Sequence, residues 1–240
     1  MPAGPEASPP ARQSSVKRVS CSDSAALAQA AADFVGAALA AHPGRFVALA
    51  VGESTLPLYA RIGSIGSGWA GRSIMPVDEL LPPPADPERA FSARLGAALP
   101  SELRPRLVPI AVADDDPDLG AIALDARLRA EGLAAVVLGL GPDGHFAFNQ
   151  PPTPADAPAR VVRLTPANLA RLGPVEPSHS ALTLGVATVL RAGAVLVVAS
   201  GPGKQDALDH LLHGPEEPAW PVTWLRRHPR LTVATAPAVR

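Results

Sequence analysis

The sequence predicts an α/β domain: a mainly parallel sheet flanked by helices on both faces. Short apolar, β-branched runs alternate with Ala/Leu-rich stretches whose apolar residues recur at three- and four-residue spacing. Strand, helix, strand repeated several times is the pattern of parallel pairing with crossover helices. The 240-residue chain is 47% hydrophobic and 18% charged, enough for a sizeable core. Its 29 prolines crowd into 82–87, 142–158 and 215–221, so they mark loops rather than elements.

Taken in order, residues 1–18 are rich in Pro, Ala and Ser and have little to bury, so they are expected to form a disordered leader before a single domain over 19–240. Helices are predicted at Ser24–Ala41, Pro87–Ala98, Pro117–Glu131 and Lys204–His213. Ser22 or Asp23 caps the first, and Pro87 and Pro117 suit a first turn. Strands are predicted at Phe46–Val51, Ser73–Val77, Leu107–Ile110, Ala134–Leu138, Arg160–Leu164, Ala194–Ser200 and Leu231–Ala234.

Composition narrows the function. Lys plus Arg total 21 against 22 Asp plus Glu, a net charge of −1, so no general field favours a nucleic acid. Cys21 stands alone and no His/Cys cluster has ligand spacing, so neither a disulfide nor a metal is expected. No run of 18 or more apolar residues occurs, and the leader lacks a secretory stretch; a cytoplasmic protein with no membrane partner is expected.

In open parallel sheets, ligands bind beyond the carboxyl ends of the strands. Four such ends carry polar residues. Val51-Gly52-Glu53-Ser54-Thr55 offers amides and hydroxyls that fit a phosphate cradle or an ordinary N-cap, with Glu53 awkward for an anion. Val77-Asp78-Glu79 fits either a desolvated general base or a solvated turn acid. Gly201-Pro202-Gly203-Lys204 places a cation at a helix start without making a Walker loop, because Val198 replaces the first Gly and Gln205 the final hydroxyl.

The fourth end is Leu138-Gly139-Leu140-Gly141-Pro142-Asp143-Gly144-His145, followed by Phe146-Ala147-Phe148-Asn149-Gln150. Gly139, Gly141 and Gly144 match G-x-G-x-x-G formally, but an acid sits in the turn, two prolines follow, and no ribose-binding acid lies about 20 residues on. What remains is an acid two residues from an imidazole in a Gly-lined turn, a general acid/base pair. His42, His179, His210 and His213 show no partner pattern and read as surface residues.

At Leu138–Pro151 the sequence resembles the glucosamine-6-phosphate deaminase and 6-phosphogluconolactonase superfamily. The continuation His145-Phe146-Ala147-Phe148-Asn149 is similar to the deaminase branch, as are Ala181–Thr188, Gly201-x-x-Lys204, and Trp220-Pro221 through Leu225-x-x-His228-Pro229. The resemblance implies a Rossmann-like sheet of the sugar-phosphate isomerase/deaminase type, a hexose 6-phosphate substrate, no cofactor and often a homo-oligomer. It implies that Asp78 moves a proton between substrate carbons and that Asp143 and His145 assist ring opening. Gly52, Ser54, Thr55, Lys204 and Arg171 would hold phosphate, with Asn149 and Gln150 behind the imidazole.

Two departures matter. Gln150 stands where deaminases carry Glu, which implies a lower imidazole pKa, and Glu53 stands where they carry Gly. Leu80 replaces the Arg usual in lactonases. Deamination of glucosamine 6-phosphate is therefore expected, with lactone hydrolysis and non-catalytic sugar-phosphate binding as the alternatives.

Overall fold

The computed structural model describes residues 16–110 and 116–237. In chain order its elements are β1 (Lys17–Ser20), α1 (Ser24–Ala41), β2 (Phe46–Leu49), β3 (Ser73–Pro76), β4 (Asp78–Leu81), α2 (Phe91–Ala98), α3 (Pro117–Glu131), β5 (Leu133–Gly139), β6 (Arg160–Arg163), α4 (Pro166–Leu172), β7 (Ser180–Thr183), α5 (Val186–Leu190), β8 (Val195–Ser200), α6 (Gln205–His213) and β9 (Leu231–Ala236). Longer 3₁₀ segments cover Leu56–Trp69 and Pro221–Arg227.

The main sheet has the order β1-β9-β8-β5-β2-β3, and every pairing in it is parallel. Its central strands are apolar on both faces, as strands covered twice must be. Along β5, Val136 and Leu138 enter one core cluster while Ala135 and Val137 enter the other. The second cluster is closed by α1, through Leu27, Ala31, Val35 and Leu39, and by Tyr59, Ile62 and Trp69 of the first 3₁₀ segment. By length and composition α1 would also suffice to cross a membrane, but these residues are buried against the sheet. Asp23 caps α1, accepting from the Ala26 amide at 2.8 Å.

The structure corrects four expectations. Lys17 and Arg18 are not leader: β1 adds to the sheet edge, with Lys17 opposite Thr232, through backbone pairing that needs no apolar side chains. Residues 1–15 lie outside the described residues. Leu107–Ile110 forms only a single bridge, Leu107 to Ile74. Arg160–Arg163 leaves the parallel sheet for a second, antiparallel one of order β4-β7-β6. Pro87–Ala98 divides into a 3₁₀ turn at Pro87–Arg89 and α2 from Phe91.

The second sheet branches from the first at Val77. Its amide donates to Leu49 at the end of β2, at 3.2 Å, and its carbonyl accepts from Leu184 just after β7, at 2.9 Å. Asp78 thus opens a new strand at the carboxyl edge of the main sheet, rather than sitting in a solvated turn.

Candidate active site

All four strand ends singled out by sequence open onto one cavity of about 810 Å³, within the range of small-molecule sites. Its walls include Gly52–Thr55, Asp78, Gly139–Pro142, His145, Arg171 and Lys204.

The Asp143–His145 turn is shaped around its imidazole. A Cβ on Gly141 would lie 2.2 Å from ring atoms of His145, so only glycine lets the ring fold back over the turn. Gly144 holds φ +74°, and a Cβ there would meet Trp220 at 2.6 Å. The Gly144 carbonyl accepts from the Val222 amide at 3.0 Å, pinning the turn to the 3₁₀ segment behind it. His210 stacks on Trp220 at 3.7 Å and is half-buried, as is His42, so neither is the free surface histidine that sequence suggested.

The His145 ring is 15% exposed, with Nδ1 hydrogen-bonded to Asp143 Oδ1. Its Nε2 lies 3.1 Å from Arg171 Nη1. A guanidinium only donates, so Nε2 is the acceptor and the proton sits on Nδ1, facing the carboxylate. Burial pushes the imidazole pKa below its usual value; Asp143 opposes this, and Arg171 and Lys204 reinforce it. Burial raises the Asp143 pKa, but His145 outweighs it and the net shift is downward.

Asp78 is 5% exposed, and burial with the neighbouring Glu79 charge pushes its pKa up to about 8. Glu79 turns elsewhere. Its carboxylate accepts from the Phe91 and Ser92 amides at 2.7 and 2.8 Å, closing the start of α2, and from the Leu80 amide at 3.0 Å.

Lys204 Nζ donates to Ser54 Oγ at 2.8 Å, and the Ser54 hydroxyl donates to the Ser200 carbonyl. Burial lowers the Lys204 pKa while exposed Glu53 raises it. Two predicted phosphate ligands are occupied instead: the Thr55 hydroxyl, 0% exposed, donates to the Ala50 carbonyl at 2.8 Å and accepts from the Gly52 amide at 3.1 Å. Both residues line the cavity, but as the framework of the turn.

The sequence profile described as "Glucosamine-6-phosphate isomerases/6-phosphogluconolactonase" matches residues 22–233. The chain belongs to that family. It is 33% identical over 235 residues to a glucosamine-6-phosphate deaminase of Beutenbergia cavernae, covering 90% of this chain and 88% of that one. It is 34% identical over 225 residues to the Mycolicibacterium smegmatis deaminase, covering 85% and 83%. Among solved structures, a monomeric glucosamine-6-phosphate deaminase superposes with TM-score 0.81 at 21% identity, covering 92% of this chain and 97% of that one. A 6-phosphogluconolactonase from Trypanosoma cruzi gives 0.70 at 20%, covering 95% and 96%. The isomerase/deaminase fold is thus shared with both branches of the family.

Against the family resemblance, the residues placed behind the imidazole behave differently. Asn149, 0% exposed, donates to the Leu184 and Phe146 carbonyls at 2.8 and 3.3 Å and accepts from Arg160 at 2.9 Å, tying the loop to β7 rather than lining the cavity. Gln150 contributes its backbone carbonyl to Thr153, and the ring nitrogens of His145 face Asp143 and Arg171. The imidazole pKa lies below its ordinary value through burial, Arg171 and Lys204. Sequence reading missed Arg89, Arg94 and Phe91 in the cavity wall, which reach it through the segment after β4 and carry no local motif.

Proposed function

We propose that this member of the family converts glucosamine 6-phosphate to fructose 6-phosphate and ammonia. One observation carries the reading: Asp78, a buried carboxyl with its pKa pushed up to about 8, shares one cavity with His145, which Asp143 holds through Nδ1, and with Lys204. That pKa suits a group which takes a proton from carbon and returns it near neutral pH. The names of the B. cavernae and M. smegmatis relatives support the same substrate.

In this reading Lys204, Ser54 and Arg171 anchor the phosphate, fixing the sugar carbons against Asp78. His145, oriented by Asp143, moves the proton from the C1 hydroxyl to the ring oxygen, opening the pyranose. Asp78 takes the C2 proton while O1 is protonated, giving an enolamine; it then delivers the proton to C1 as the amine nitrogen loses one proton, the equivalent of that gained by O1, leaving an imine at C2 to which water adds before ammonia leaves. A cytoplasmic location fits a substrate whose phosphate keeps it from crossing a bilayer.

A neutral imidazole also favours a second reading, in which His145 activates water against a sugar-phosphate lactone. Product analysis decides between them: incubation with glucosamine 6-phosphate should yield fructose 6-phosphate and ammonia in equal amounts. Turnover of 6-phosphogluconolactone alone would overturn the deaminase reading.

A further inference from the structure

The deaminase reading asks His145 to exchange a proton with the sugar, yet in the free protein both ring nitrogens are occupied. Asp143 holds Nδ1, and Arg171 Nη1 donates to Nε2 at 3.1 Å. While that guanidinium stays, the imidazole has no lone pair to offer the substrate.

Arg171 is otherwise exposed, and among the described residues it forms no ion pair. The helix that carries it is held at both ends. Thr165 and Asn168 form a capping box at the start of α4, and Arg89 Nη2 reaches across the cavity wall to the Leu172 carbonyl at 2.9 Å. The backbone beside Arg171 is therefore fixed, while its side chain is exposed and bonded to His145 Nε2. Lys204 lines the same cavity and acts electrostatically on the same ring. A phosphate dianion placed on Lys204 offers Arg171 a charged, bidentate partner, which a guanidinium prefers to a neutral nitrogen.

We propose that Arg171 is a specificity-determining latch: it masks His145 Nε2 until a substrate phosphate draws the guanidinium away. This rests on the deaminase reading and extends it. Arg171 then makes the phosphate a condition for proton transfer and not only for binding, so the substrate class is restricted to phosphorylated sugars at the chemical step.

The test uses the full chain and nitrogen-resolved NMR of the imidazoles, with the His145 signal assigned by its loss in His145→Gln. The charged groups facing the ring are Asp143 from its own turn, Arg171 from α4 and Lys204 before α6. Saturating inorganic phosphate, followed by its own phosphorus signal, removes one cation from Nε2 and adds a dianion nearby, so the His145 midpoint should rise by about one unit. Arg171→Gln should raise it without phosphate. In turnover assays, Arg171→Gln should lower the rate with glucosamine 6-phosphate but raise it about tenfold with unphosphorylated glucosamine, because the mask is gone. A midpoint unmoved by saturating phosphate, or a variant that loses rate on both sugars alike, overturns the latch. An intact phosphate response with no turnover of glucosamine 6-phosphate would instead overturn the deaminase reading and leave the latch standing.

Discussion

Asp78 and Glu79 are adjacent carboxyls on one strand with opposite settings. Glu79 is enclosed by the Phe91 and Ser92 amides at 2.7 and 2.8 Å, whereas Asp78 faces the cavity with its pKa pushed up to about 8. One is a structural cap whose charge helps hold the other close to neutrality. Replacing Asp78 with Asn should therefore lower kcat by roughly 10²–10⁴-fold while KM for glucosamine 6-phosphate stays within about threefold. Steady-state kinetics check this, and near-normal kcat would remove Asp78 from the proton transfer.

The same pKa fixes the pH response. Asp78 must be ionised to act as a base, so kcat/KM should climb tenfold per pH unit below about 8 and level off above it. Stability runs the other way. The folded pKa is raised above the unfolded carboxylate value, so the contribution of Asp78 is fully present below pH about 4 and is lost as pH rises toward 8. Asp78→Asn should thus melt several degrees higher than the wild type at pH 8 while the two converge near pH 4, a difference calorimetry reads directly.

Glu79→Gln separates the two carboxyls. Removing the neighbouring charge should move the rising limb of kcat/KM to lower pH, since Glu79 contributes to raising Asp78. Loss of a charge-assisted cap on α2 should destabilise the fold by about 1–2 kcal/mol. Chemical denaturation and a pH–rate profile on the same variant test both; an unmoved limb would show that burial alone sets Asp78.

Much of this site was legible because its parts are local. The Asp143–His145 turn follows a seven-residue buried strand and is marked by its glycines, although the space that Gly141 leaves is filled by the His145 ring and not by the open approach that the sequence suggests. The partners across the cavity were not legible. Glu79 meets amides 12 and 13 residues later, and Arg89 meets Leu172 83 residues later, so no spacing rule reaches them. Strand β4 escaped notice because Asp-Glu-Leu-Leu reads as a turn, although both carboxyls are buried by the second sheet. Helix α4 did leave a signal, Thr165 before Pro166 with Gly173 beyond the end, that a search for long apolar periodicity passes over in seven residues.

Gly141→Ala tests whether the turn was shaped for the imidazole. The added methyl would sit 2.2 Å from the ring, so His145 must rotate out and lose Asp143 and Arg171 together. A fall in kcat of at least about a hundredfold is expected, with the displaced ring visible in a crystal structure. An unmoved ring with normal turnover would contradict the assignment of His145.

The most direct test is a proton NMR time course of glucosamine 6-phosphate with the protein in deuterated buffer. The C2 proton signal should disappear as fructose 6-phosphate and ammonia appear, with Asp78→Asn silent under the same conditions. A C2 proton that persists while the wild-type protein is shown to bind the sugar phosphate would contradict the deaminase reading.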